Sequence, residues 1–201
     1  IVINKSKFLH KTTIKSNMKS GDAETYLSFI IKNYENLSDI CVFLSDKLKG
    51  QKHQYQTLTQ QAILAARPTN ENLTYISTSF VNFVVDETYH IKWPPPKNPN
   101  AKAYINSITP SNYNYVNWVT KFLGDVELRL LKRTHSGDTE HMVLHSNEQL
   151  RFNPTNSFLI GGNTIRKQPK DFYERLYSLL MGTSTTEDAI YIERSWSLIF
   201  R

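Results

Sequence analysis

Apolar and polar positions in the first part of the chain follow two different spacings. Between residues 23 and 34 the apolar side chains recur every three or four positions, which predicts an amphipathic helix with Asp22 as its N-cap. Residues 1–3 and 40–44 are unbroken apolar runs, which are typical of buried strands. A strand, a helix and a strand with short connections predict a βαβ unit, and therefore a mixed, mostly parallel central sheet flanked by helices.

The rest of the chain continues this alternation of elements. Helical spacing predicts three further helices, at residues 54–66, 113–123 and 169–180. Apolar and β-branched runs predict strands within 74–85 and at 126–131 and 158–160. Polar or proline-rich stretches predict loops at 93–99, 135–140 and 182–188, before a last apolar element at 189–200. We therefore expect one α/β domain covering residues 1–201. The absence of a first Met leaves open whether the chain is the N-terminal part of a longer protein.

Composition supports a folded, soluble protein. Apolar residues make up 39% of the chain and charged residues 21%, which argues against disorder. The chain contains no run of 18 apolar residues and does not begin like a signal peptide, so a cytoplasmic protein is expected. The single cysteine, Cys41, lies in an apolar run and is expected to be a buried free thiol in a reducing compartment.

The charge of +6 is distributed unevenly, because the first twenty residues contain five lysines and no acid. A solvated basic surface explains this bias, and so does a field that attracts phosphate groups. Those phosphates would belong either to a nucleotide or to a nucleic acid.

Asp46 is the strongest candidate for chemistry because it follows the predicted strand at 40–44 directly. Ligands of open α/β sheets bind beyond the carboxyl ends of strands, and an acid there can hold a metal that holds a diphosphate. Ser45 beside it adds another oxygen ligand of the kind that Mg²⁺ and Mn²⁺ prefer. The alternative is that Asp46 only caps the next element.

Other acids and histidines compete with Asp46. Asp86 also follows a predicted strand, and Asp138 begins an Asp-Thr-Glu sequence with the spacing of a paired acidic motif, although it lies in a polar loop. His141 and His145 share one face of a helix or a strand, but no third ligand accompanies them.

Two further segments suit sugar binding. Gly161, Gly162 and Asn163 allow a ligand to approach the backbone closely, although a plain turn explains them as well. Glu193 stands three residues before Trp196, so a general base could lie beside a stacking ring. From the pattern alone, an ordinary helix with an exposed Glu is the better interpretation.

Several of these pieces, in their order and spacing, resemble a known family. They are Asn4-Lys5-Ser6, the helix around Thr25-Tyr26-Leu27, residues 42–44, residues 158–166, residues 172–176 and Glu193-Arg194-Ser195-Trp196. The family consists of fungal, algal and viral proteins, is similar to GT-A glycosyltransferases, and includes a chlorovirus domain that glycosylates a capsid protein. The resemblance covers nearly the whole chain.

The resemblance implies a role for individual residues. Asp46 would be the metal ligand in place of the usual Asp-x-Asp motif. Only the second Asp of that motif is present here, because Leu44 stands at the first position. The donor would be bound by residues from the first half of the chain: Asn4, Lys5, Asp22, Ser45 and Asp46. The sugar or acceptor would be bound by Gly161, Gly162, Asn163, Trp118 and Trp196. Family members usually have Gly-Arg-Glu before the Thr-Tyr-Leu helix, whereas Ser20-Gly21-Asp22 stands here.

We therefore expect a metal-dependent glycosyltransferase that uses a UDP-sugar, inverts the anomeric centre and modifies a glycan or glycoprotein. Mn²⁺ or Mg²⁺ would neutralise the leaving diphosphate, and Glu193 or Asp138 would deprotonate the acceptor hydroxyl. If this protein is viral, the reaction would take place in the cytoplasm of the host cell and the acceptor would be a capsid glycan. The alternatives are a basic nucleic-acid-binding module and an inactive structural domain.

Overall fold

The computed structural model describes residues 2–4, 10–12, 21–45, 73–75, 81–82, 84–85, 90–91, 96, 98–124, 128–133, 139–144, 151–152, 156–182 and 186–200. The strands in these residues are β1 (Val2–Asn4), β2 (His10–Thr12), β3 (Ile40–Phe43), β4 (Thr74–Tyr75), β5 (Val81–Asn82), β6 (Val84–Val85), β7 (Leu128–Arg133), β8 (Thr139–Leu144), β9 (Arg151–Phe152) and β10 (Phe158–Gly161). The α-helices are α1 (Gly21–Asn33), α2 (Pro99–Asn106), α3 (Tyr115–Leu123), α4 (Gly162–Ile165), α5 (Lys170–Met181), α6 (Thr186–Arg194) and α7 (Trp196–Ile199). The fold is therefore mixed α/β.

The largest sheet has the strand order β2-β1-β3-β10-β4, and all four of its neighbouring pairs are antiparallel. The parallel pairing predicted for the first strand and residues 40–44 is therefore wrong. The reason is β2, a short polar strand that forms a hairpin with β1 and reverses the chain before α1. Since β2 and β3 both run antiparallel to β1, helix α1 crosses over β1 to connect two strands of the same direction.

Two smaller sheets complete the described strands. In the first, β5 pairs antiparallel with β9. In the second, β7 is the middle strand, and it pairs in parallel with β6 and antiparallel with β8. The strands expected within residues 74–85 and at 126–131 are confirmed, with β7 shifted two residues toward the C-terminus. The helix expected at 54–66 lies outside the described residues.

The helices predicted at 113–123 and 169–180 are confirmed, whereas α2 was not predicted and α6 begins inside the loop expected at 182–188. Three further details differ. α1 begins at Gly21, so Asp22 lies inside its first turn and is not the N-cap. The glycines expected to form a tight loop after β10 instead open the short helix α4. The last apolar element divides at Ser195 into α6 and α7. α5 begins after Pro169, as expected of a residue that lacks an N–H donor.

The core lies between the central strands and the layer formed by α1, α5 and α6. Its centre is a chain of aromatic rings: Tyr26 and Phe43 have centroids 4.9 Å apart, Phe43 and Phe158 5.1 Å, and Phe158 and Trp196 5.6 Å. All four side chains are fully or almost fully buried. Burial of such large rings supplies much of the stabilisation of a domain of this size.

Within the described residues, no helix combines the length and the apolar character that a bilayer crossing requires. Cys41 is buried on β3, which confirms the expected core thiol. Its Sγ lies 3.8 Å from the carbonyl oxygen of Ser38.

Replacing Gly162 with alanine should destabilise the fold strongly. A Cβ at Gly162 would lie 2.3 Å from the backbone oxygen of Ser38, and backbone cannot move aside as a side-chain tip can. We expect Gly162→Ala to lower the free energy of unfolding in urea by about 3 kcal/mol. Gly182→Ala is the control, with a nearest contact of 3.1 Å and an expected loss of about 1 kcal/mol. Equal losses in the two variants would contradict this explanation.

Cys41 should resist thiol reagents while the protein is folded. Burial raises the pKa of the Cys41 thiol to about 11, against the weaker opposing effects of a backbone hydrogen bond with Ser38 and of the Arg166 charge. At pH 8 only about one molecule in a thousand would then carry the reactive thiolate. We expect a disulfide reagent to label the protein promptly in urea and very slowly in buffer. Rapid stoichiometric labelling of the native protein would show that the thiol is accessible.

Candidate functional site

Four polar side chains from four parts of the chain meet at one edge of the large sheet. Asp22 comes from the first turn of α1, Ser45 from the segment after β3, Asn156 from the segment before β10, and Glu193 from the last turn of α6. We call these four residues the Asp22 cluster. Ser45 and Asn156 are each only 4% exposed, so the cluster closes onto the core on one side.

Hydrogen bonds join the two carboxylates of the cluster into one network. The Ser45 hydroxyl donates to Asp22 Oδ2 at 2.7 Å. The side-chain amide of Asn156 donates to Glu193 Oε2 at 2.8 Å and lies 3.5 Å from Asp22 Oδ2. The backbone N–H of Asp22 donates to Glu193 Oε1 at 3.2 Å. Uncharged hydrogen-bond donors therefore hold the Asp22 and Glu193 carboxylates close together, and the Asn156 amide lies between the two.

The ends of two helices explain how Glu193 is accommodated. A carboxylate in the last turn of a helix faces the negative end of that helix dipole, which is unfavourable for α6. The N-terminus of α1 offsets this, because the Asp22 N–H and the positive end of the α1 dipole meet the same carboxylate. The contact needs Gly21, since a Cβ at that position would lie 2.9 Å from Glu193 Oε1.

Asn156 is held in an uncommon backbone conformation. Its φ of +50° lies in the left-handed region, which Asn tolerates better than most residues. Its carbonyl accepts a hydrogen bond from the Tyr26 hydroxyl at 3.0 Å, and the next residue, Ser157, accepts one from the Ser45 N–H at 3.2 Å. These contacts fix the direction in which the Asn156 amide points.

Arg194 places a cation directly after Glu193. Burial lowers the pKa of Arg194 to about 10, while Glu193 and then Tyr115, Tyr104 and Glu187 oppose the shift. The guanidinium is therefore charged at neutral pH, and it attracts the Glu193 carboxylate.

The chemistry of the Asp22 cluster is that of oxygen ligands. Carboxylates and a hydroxyl suit a hard cation such as Mg²⁺ or Mn²⁺, and they also accept hydrogen bonds from the hydroxyl groups of a sugar or ribose. No group of three or more metal-ligating side chains occurs within the part of the chain that the structure describes. A cation here would need further oxygens, and Asp46, which follows Ser45 directly in the sequence, stays the predicted source of one.

The predicted site residues divide into separate groups. Asp22, Ser45 and Glu193 lie together in the Asp22 cluster, although the sequence offered no direct sign of their contact. Lys5, Asp46 and Asp138 lie outside the described residues, as do the rival acid Asp86 and His145. Their roles remain predictions.

Antiparallel pairing moves another group of predicted residues to the opposite edge of the sheet. Asn4 pairs with Cys41, and Gly161 pairs with Ile40, at the start of β3. Ser45 lies four residues beyond Cys41, which is on the order of 13 Å of extended chain. Asn4 and Gly161 would share an edge with Ser45 only if their strands ran parallel to β3.

Gly162 and Asn163 belong to that opposite edge as well. The N–H of Gly162 donates to the carbonyl of Asp39 at 3.2 Å, and its close approach is to the Ser38 backbone. The exposed Asn163 side chain accepts from Arg166 at 2.8 Å. The glycine thus serves chain packing, which corrects its expected role beside the sugar.

Trp118 and Trp196 are both fully buried, so the expectation that they stack on a sugar is corrected too. The Trp118 ring packs against Tyr191 at 5.6 Å, and Trp196 lies parallel to Phe200 at 5.5 Å. Their faces are covered by protein, and neither ring can offer a surface to a ligand in this structure.

A second polar group anchors the other end of α6. Glu187, which is 4% exposed, accepts hydrogen bonds from the N–H groups of Ile91 at 3.2 Å and Ser111 at 2.7 Å, and lies 3.1 Å from His90 Nδ1. Asp188 accepts from the Ser111 hydroxyl at 2.6 Å. These contacts fasten two neighbouring segments to the first turn of α6, so we assign them a structural role.

Asn156 was missed by the sequence reasoning. An Asn that lies two residues after Pro154 and two before a strand indicates a turn, but nothing in the local pattern indicates that its amide bridges two distant acids. Only the pairing of β10 with β3 brings Asn156 beside Ser45 and Asp22.

Substitution of Asn156 should reveal how strongly the cluster depends on its amide. Asn156→Gly keeps the left-handed conformation available but removes the donor to Glu193, and should lower the free energy of unfolding by about 1–3 kcal/mol. Asn156→Asp should cost more, because it places a third carboxylate against two others. Urea unfolding measures both variants.

The matched control is Asn33→Ala, which removes an amide that donates at 2.8 Å to the backbone carbonyl of Phe29 and not to a carboxylate. We expect that change to cost about 1 kcal/mol or less. If Asn156→Asp were no less stable than Asn156→Gly, the amide would not be separating two charges.

Comparison with known proteins places the chain in a family without giving it an activity. No curated protein and no solved structure matches the sequence. A family described as a protein of unknown function, DUF3431, matches residues 2–201, which is nearly the entire chain. The chain therefore belongs to the DUF3431 family.

Proposed function

We propose that this protein is a metal-dependent glycosyltransferase that moves a sugar from a nucleotide-sugar donor, UDP-linked, to a glycan or glycoprotein acceptor. The observation that supports it best is the Asp22 cluster. Two carboxylates from distant parts of the chain are held together at the end of β3, immediately before Asp46. Acids gathered at a strand end suit both jobs that sugar transfer needs, which are holding a cation with its diphosphate and activating a hydroxyl.

The residues of the cluster divide these jobs between them. Glu193 accepts the proton of the acceptor hydroxyl, with Asn156 and the Asp22 N–H fixing the orientation of its two oxygens. Asp22, oriented by Ser45, receives hydroxyl groups on the donor side. Asp46 and the donor diphosphate would hold Mn²⁺ or Mg²⁺, and the cation would supply positive charge beside the diphosphate that leaves when the acceptor oxygen bonds to the anomeric carbon. The attack is a single in-line displacement that inverts the anomeric centre.

The proposal rests on this site and not on the sheet. The antiparallel pairing of the five strands departs from a mostly parallel GT-A sheet, so the assignment to the GT-A fold is part of the proposal. Lys5 is retained as a donor contact and Asp138 as the alternative base. Asn4, the glycine segment at 161–163 and the two buried tryptophans are left out of the proposed site. A cytoplasmic setting and a capsid glycan as acceptor belong to the proposal as well.

Nucleotide binding gives the direct test. Titration calorimetry of the chain with UDP, with and without Mn²⁺, should show binding that requires the metal. Asp46→Ala should abolish that binding, because it removes the proposed metal ligand, whereas the control Asp86→Ala should leave it unchanged. Glu193→Gln should retain UDP and Mn²⁺ binding while slowing sugar transfer by about 10²–10⁴-fold, as expected for loss of a general base.

Three results would contradict the proposal. Absence of binding of UDP and of every other nucleoside diphosphate would favour an inactive structural domain. Binding of DNA with a steep dependence on salt, without nucleotide binding, would favour the nucleic-acid-binding alternative. Equal loss of UDP binding in Asp46→Ala and Asp86→Ala would show that metal-dependent UDP binding does not depend on Asp46 in particular.

A further inference from the structure

We draw no further inference here: the strongest candidate, the buried Glu24 carboxylate in the first turn of α1, has one oxygen without a hydrogen-bond partner in the described part of the chain, but nothing in the structure shows which ligand would meet that oxygen.

Discussion

The pairing of β3 with an antiparallel strand on each side is the constraint on which the rest of the structure depends. Phe43 pairs with Val2 on one side and Phe158 on the other, which fixes the two edges of the sheet. Residues that follow β3 meet residues that precede β10, and the start of β3 meets the end of β10. Ser45 therefore lies beside Ser157, whose hydroxyl accepts a hydrogen bond from the Ser45 N–H, and not beside Gly162 of α4. Side chains of Phe43 and Phe158 then pack against Tyr26, which anchors α1 and with it Asp22.

Helix α6 links this edge to the rest of the domain because it holds a carboxylate at each end. Glu187 and Glu193 are six residues apart, which is about 9 Å along the axis. Removing such groups from water is expensive unless each oxygen finds a donor. Backbone N–H groups of neighbouring segments donate to the carboxylates at both ends of α6. These hydrogen bonds fix the position of α6 along its axis and its orientation about that axis. The acidic residues of the candidate site are thus held by the same contacts that position the helix.

The local pattern of apolar residues was sufficient to predict those helices and strands whose apolar side chains face the core. The apolar spacing of α1 and α5 and the unbroken runs of β3 and β10 correspond to side chains that are buried in the structure. β2 was not predictable, because a three-residue polar strand has neither alternation nor an apolar run. Missing it reversed the direction assigned to β3 relative to β1. The resemblance assigned Asn4 and Gly161 to one cleft with Ser45, and the antiparallel pairing of β1 and β10 with β3 separates them from it. Asp22 and Glu193 were chosen from motifs, whereas their contact depends on a pairing between residues 171 positions apart.

The way in which Glu193 is held bears on the chemistry it can perform. A carboxylate at the C-terminal end of α6 is disfavoured by that helix, and the compensating donors come from α1 and Asn156 rather than from α6 itself. Its position is therefore a property of the assembled edge, created only when α1, α6 and β10 are packed together. Strained or special backbone at Gly21 and Asn156 lies at the two points where this carboxylate is contacted. A left-handed backbone is adopted most readily by glycine and asparagine, which are the residues that stand at these two points.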